Sequence, residues 1–150
     1  MLEIGPGYGA TTRILADHVP RLTALEVDSD LANRLTSAVQ NVRVVQGDGA
    51  AMPFDEGEYS GVVCFTMLHH VPSPQLQDRL FAEVHRVLQP GGVFAGSDSR
   101  SSLGFRLIHL SDTMVIVEPD KVAGRLIAAG FDRVQIDEHR GDFRFRAHKP

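Results

Sequence analysis

Short apolar runs of strand length alternate with segments whose apolar residues recur at helical spacing, and few folds accommodate that alternation. Residues 1–4, 22–27, 42–46, 61–65 and 92–97 read as strands. Between the first four lie a helix over 10–18, carrying Ile14 and Leu15 on one face, and a second helix entered through Asp28-Ser29-Asp30, with Leu31, Leu35 and Ala38 or Val39 recurring. Asp28 is its expected cap. The clearest helix runs over 74–88: Ser73 caps it, Pro74 opens it, and Leu76, Leu80, Phe81, Val84, Val87 and Leu88 form one stripe. Pro90-Gly91-Gly92 is expected to stop it. After an irregular stretch over 98–117 come a helix over 120–129, with Gly130 as its stop, and strands over 133–137 and 143–148. The last two strands are too close in sequence for a parallel crossover and must pair antiparallel. The pattern as a whole is that of an α/β domain with a mostly parallel sheet.

Composition narrows the partners. A chain of 150 residues with 43% hydrophobic content suffices for one domain with a full core. The net charge of −4 is spread along the chain, so nothing electrostatic selects nucleic acid or an anionic membrane, and a small or neutral substrate fits better. No apolar run approaches a membrane span, no signal-peptide pattern opens the chain, and the lone Cys64 lies within an apolar run, which together suggest a cytoplasmic location.

Chemistry enters at Leu2-Glu3-Ile4-Gly5-Pro6-Gly7-Tyr8-Gly9, where a strand turns through three glycines into a helix. Glycine permits the tight turn and close backbone approach, and the unpaired N–H groups at the helix start attract electron-rich ligand atoms. Glu26, at the end of the second strand, can accept hydrogen bonds from both hydroxyls of a ribose. Asp48, between Gly47 and Gly49 at the end of the third, suits an exocyclic amino group, with an Asx turn as the plain structural alternative. Gly5, Gly7 and Ala10 with Glu26 also satisfy a dinucleotide fingerprint, so an NAD(P)-dependent oxidoreductase competes on these residues. His69 and His70 are weak catalytic candidates. Adjacent histidines rarely chelate one ion from a regular element, and no further ligand stands at metal spacing. His109 is weaker still, and Cys64 reads as a buried strand residue without an activating partner. The alternation of Phe143, Phe145 and Ala147 with Arg144, Arg146 and His148 predicts one buried and one solvated sheet face.

Taken in order, Glu3 to Gly9, Glu26, Gly47-Asp48-Gly49-Ala50-Ala51-Met52-Pro53-Phe54, Tyr59 through His70, and Glu83 through Gly92 closely resemble the class I S-adenosylmethionine (SAM)-dependent methyltransferases, in the branch that includes ubiquinone- and menaquinone-biosynthesis-like enzymes. The resemblance implies a Rossmann-like seven-stranded sheet of order 3-2-1-4-5-7-6 with strand 7 antiparallel and helices on both faces. It further implies that Gly5, Gly7 and Gly9 hold the methionine part of SAM with Glu3 near its amino group, and that Glu26 binds the ribose. Asp48 would take the adenine amino group with Gly49 and Ala50 against the ring, and Phe65 and Thr66 would line the cofactor. The activity implied is direct methyl transfer to a small-molecule nucleophile, without metal or covalent enzyme intermediate. The histidine pair is then a signature around the pocket. The apolar residues 103–110 are expected to contribute to the acceptor pocket or to the core. The sequence enters directly within the first strand, whereas the family carries a preceding helix. A mis-set start or truncated gene model is expected, with a non-catalytic SAM-binding module as a further reading.

Overall fold

A computed structural model of the chain describes residues 1–99, 115 and 117–150. The expectations placed on residues 103–110 and on His109 lie outside the described residues. The strands are β1 (Leu2–Ile4), β2 (Leu22–Glu26), β3 (Val42–Gln46), β4 (Tyr59–Phe65), β5 (Leu88–Ser99), β6 (Asp132–Glu138) and β7 (Asp142–His148). Flanking them are α1 (Ala10–His18), α2 (Ser29–Ala38), α3 (Pro74–Val87) and α4 (Pro119–Ala128), with a 3₁₀ turn at Leu68–His70. The seven strands form one sheet in the order β3-β2-β1-β4-β5-β7-β6. Strands β1 to β5 run parallel, and β7 lies antiparallel between β5 and β6. Because β1 sits between β2 and β4, the chain reverses its winding direction there and leaves a crevice beyond the carboxyl ends of β1 and β4.

Local chemistry explains most boundaries. Asp28 Oδ1 accepts the N–H groups of Asp30 and Leu31 at 2.8 and 3.0 Å, and Ser73 Oγ accepts that of Leu76 at 3.2 Å. Both satisfy donors that a helix start leaves orphaned. At the end of α4, Gly130 adopts φ 103° and the N–H of Phe131 returns to the carbonyl of Leu126, so this glycine ends the helix as expected. Helix α3 stops earlier than its apolar stripe suggested: Leu88 is already extended and pairs with Tyr59 in the sheet. Pro90 disfavours helical backbone at Gln89, and the stripe residue Leu88 is buried from the strand side instead.

The core forms where β5 and β7 meet α3 and α4. Phe94 lies 4.9 Å from Phe145 in edge-to-face contact, 5.8 Å from Phe131 and 6.1 Å from Phe81. Phe143, Phe145 and Ala147 are buried while Arg144 and Arg146 are exposed, as their alternation required. Gly96 is forced by this packing: a Cβ there would stand 2.2 Å from the Cys64 carbonyl oxygen and 2.7 Å from the Phe145 ring. One helix differs from its sequence reading. Helix α1 buries Thr12 while Ile14 is 63% exposed, so Ile14 does not lie on its inward face. Among the described residues, no helix is long and apolar enough to cross a membrane.

Candidate functional site

The crevice is built first from the glycine turn. Gly5, Gly7 and Gly9 all have positive φ, at 65°, 54° and 76°, the left-handed region that side chains resist. Their remaining roles differ. A Cβ on Gly9 would lie 2.3 Å from Leu35 of α2, and one on Gly5 would lie 3.0 Å from Met67, so these two glycines let the turn pack inward. A Cβ on Gly7 would meet nothing within 4 Å. Gly7 is therefore the glycine of the turn whose Cα faces open space.

Glu26 is held against this turn. Its Oε2 accepts the Gly7 N–H at 2.9 Å and its Oε1 accepts the Asp28 N–H at 3.1 Å, in a side chain only 5% exposed. Each oxygen retains a further lone pair, so the carboxylate can receive two hydroxyls from a fixed position. Below it, Glu3 is buried beside Thr12, and Glu3 Oε2 and Thr12 Oγ1 have no hydrogen-bond partner. Burial raises the Glu3 carboxyl above the usual carboxylate range, with the nearby Thr12 hydroxyl opposing it. A buried acid with one oxygen unsatisfied has the chemistry to take a cationic group.

Asp48 is exposed at the end of β3, and its Oδ1 accepts the Ala50 N–H at 2.8 Å. This is the Asx turn weighed as its alternative, and it stiffens the carboxylate without using its second oxygen. Gly49 faces the core, where an added Cβ would lie 3.0 Å from Leu80 and 3.3 Å from Ile4, while Ala50 is half-buried. Phe65 ends β4, half-buried, opposite Ser97 of β5. Thr66 follows with φ 49°, held by its N–H to the Ser97 carbonyl at 2.8 Å. A β-branched residue in this region is strained, and such strain concentrates where a chain must present a particular backbone.

The histidine pair divides. His69 is 5% exposed, its Nδ1 lies 2.5 Å from Asp98 Oδ1, and its backbone N–H reaches Asp98 Oδ2 at 3.2 Å. Asp98 is fully buried at the end of β5. The His69 carbonyl accepts the Val115 N–H, and Gln77 Nε2 holds the Leu68 carbonyl, so the 3₁₀ turn is braced from three sides. His70 is exposed, with its ring centroid 4.1 Å from that of His69. Sequence reasoning did not single out Asp98, Gln77 or Thr12 because each acts through a partner distant in the chain. An aspartate at the end of a strand otherwise apolar on that face was the available signal. Cys64 is buried, and burial pushes its thiol well above the usual range, as a structural cysteine requires.

A doubly wound sheet of this order, with a glycine turn after β1 and an acid closing β2, defines the Rossmann-like class I methyltransferase architecture. The chain belongs to the methyltransferase domain family, whose model matches residues 2–96. It is 35% identical over 95 residues to an uncharacterized methyltransferase of Synechocystis sp., an alignment covering 63% of this chain and 44% of that protein. It is 46% identical over 61 residues to the ribosomal RNA small subunit methyltransferase A of Mannheimia succiniciproducens, covering 39% of this chain and 20% of that one. The chain thus spans less than half the length of these relatives. An S-adenosylmethionine-dependent methyltransferase from Mesorhizobium loti superposes with a TM-score of 0.82 at 16% identity, over 99% of this chain and 89% of that one. The cofactor of the family is SAM, and the chemistry of the residues present fits it: a glycine facing open space, a fixed buried carboxylate in Glu26 with lone pairs to spare, and a buried acid in Glu3 with one oxygen unsatisfied.

Proposed function

We propose that this chain is the catalytic domain of a SAM-dependent methyltransferase acting on a small molecule, and the observation that carries the reading is the Gly7–Glu26 junction. Glu26 ties the turn to the end of β2 and offers its remaining lone pairs to the ribose hydroxyls. Gly5, Gly7 and Gly9 admit the methionine part, and Glu3 faces its ammonium group. Asp48 receives the adenine amino group beside Gly49 and Ala50, with Phe65 and Thr66 lining the pocket. SAM supplies a methyl carbon made electrophilic by the adjoining sulfonium.

The protein's own contribution is positioning and exclusion of water, since a reaction of two aligned partners gains mainly from orientation. Where the acceptor must lose a proton, we assign that role to His69. Asp98 Oδ1 lies 2.5 Å from Nδ1 and orients the ring; with the proton on Nδ1, Nε2 is the basic nitrogen. His70 is exposed and stacks beside the His69 ring. The mild acidic balance of the chain favours a small acceptor over a nucleic acid, although one relative's name carries ribosomal RNA.

Calorimetric titration with SAM, S-adenosylhomocysteine and NAD tests the cofactor: the first two should bind, and preferential NAD binding would replace the reading with an oxidoreductase. Incubating cell extract with isotopically labelled methyl-SAM and the protein, followed by mass spectrometry of small-molecule and RNA fractions, tests the acceptor. Label confined to RNA would overturn the small-molecule assignment. Binding without any transfer would leave a SAM-binding module.

A further inference from the structure

We propose that Glu83 and Arg86 of α3 clamp the backbone of residues 47–54 and thereby position Asp48, making this pair the determinant of preference for an amino-bearing purine. The inference rests on the SAM reading above and deepens it at the adenine end.

Residues 47–54 lie between β3 and β4 without regular secondary structure; the Gly47 N–H still reaches the Glu26 carbonyl of β2 at 2.9 Å, and past it no sheet ladder holds the segment. At their start, Asp48 makes two local turns: Oδ1 accepts the Ala50 N–H, and its backbone carbonyl accepts the Ala51 N–H at 3.0 Å. Beyond that, the segment is anchored by two side chains one helical turn apart on α3. Glu83 Oε2 accepts the Met52 N–H at 2.7 Å. Arg86 donates from Nη1 to the Phe54 carbonyl at 2.8 Å and from Nη2 to the Met52 carbonyl at 3.1 Å. The two side chains also join each other, Nε to Oε1 at 2.7 Å and Nη2 to Oε2 at 2.8 Å. Every nitrogen of the guanidinium is thus engaged, and the planar fork sets the direction of each contact.

Met52 and Phe54 bury their side chains in the core, which fixes their depth, while the clamp fixes their backbone direction. The Arg86 backbone carbonyl further accepts the Gly57 N–H at 3.0 Å, extending the same anchorage past the segment. Within the pair, Arg86 holds the Glu83 carboxyl below its usual range, with the Met52 N–H assisting and burial opposing. Asp48 stands four residues before Met52 in a segment that has no other side-chain brace from a helix among the contacts described. A hydrogen bond from a base amino group to a carboxylate weakens steeply with distance and angle, so releasing this anchorage blurs the distinction between amino and oxo groups on the base.

The test compares S-adenosyl-L-homocysteine with S-inosyl-L-homocysteine, which carries an oxo group where adenine has its amino group. Dissociation constants are measured by calorimetry for the native chain, Arg86→Gln and Glu83→Gln. A hydrogen bond to an ionised acceptor predicts a native preference for the adenine compound of about tenfold or more. Both variants should cut that preference to within about threefold. Should Arg86→Gln fail to fold, Glu83→Gln decides, because it keeps the arginine's contacts to both carbonyls. Equal weakening of both ligands with the preference intact would reduce the clamp to a structural brace and overturn the proposal. A native preference near one would overturn it while leaving the SAM reading standing. Failure of the native chain to bind either compound would remove both.

Discussion

Gly7 and Gly9 sit two residues apart with similar backbone angles, yet substitution should separate them. In Gly9→Ala the new methyl meets Leu35 as well as a strained φ, and stability should fall by about 3 kcal/mol or more. Gly7→Ala carries the backbone strain alone, about 1–2 kcal/mol, but puts a methyl into the open space proposed for the cofactor. Denaturant unfolding should therefore rank Gly9→Ala as the less stable, while calorimetry finds SAM binding lost in a still folded Gly7→Ala. Glu3 offers a pH signature. Burial raises its folded pKa above the usual carboxylate range, so its contribution to stability is complete below that range and is lost as pH rises through the folded pKa. Glu3→Gln should escape this loss. Urea midpoints of native chain and variant should converge at acid pH and diverge in the variant's favour on raising it, and parallel curves would refute the assignment. The glycines, Glu26 and Asp48 were recognisable in the sequence because their chemistry is local to strand ends. Thr12 was not, since α1 buries this threonine while leaving the more apolar Ile14 exposed.

At the scale of elements, helices start where side chains satisfy their orphan donors. Ser73→Ala should cost about 1 kcal/mol by removing the acceptor for the Leu76 N–H, measurable as a shift in the unfolding midpoint with an unchanged denaturant slope. Helix α3 closes the core with one face, while its buried Gln77 holds the turn after β4 and Glu83 and Arg86 together hold residues 52 and 54. Its apolar stripe and its cap could be read directly, since both are patterns within one helix. Its terminus could not: Leu88 continues the apolar spacing, and only pairing with Tyr59 turns it into the first residue of β5.

For the molecule as a whole, the buried Asp98 is a cross-link between the end of β5 and the turn after β4. Asp98→Ala would leave the His69 N–H and ring nitrogen without their acceptor, costing about 3 kcal/mol. Scanning calorimetry should record this as a fall in Tm of about 10 °C for a domain of this size. A change within the scatter of surface substitutions would show that the pair carries no structural load. The same segment brings Met67 against Gly5, where an added Cβ would lie 3.0 Å from the Met67 side chain. Strand order, by contrast, follows from winding: short links forced β6 and β7 antiparallel, and parallel crossovers placed β1 at the reversal point.

By itself the sequence determined the alternation of strands and helices, their caps, the solvated face of β7 and the glycine turn with its acids, because each depends on neighbours a few residues away. Tertiary structure alone decided which glycine of the turn faces open space, that Glu3 is buried with one oxygen unsatisfied, that Asp98 holds His69, and that α3 grips residues 52 and 54. These depend on contacts between segments separated by tens of residues. Periodicity and propensity carry no term for such contacts, and only the closed sheet and its packed helices bring the partners within hydrogen-bond distance.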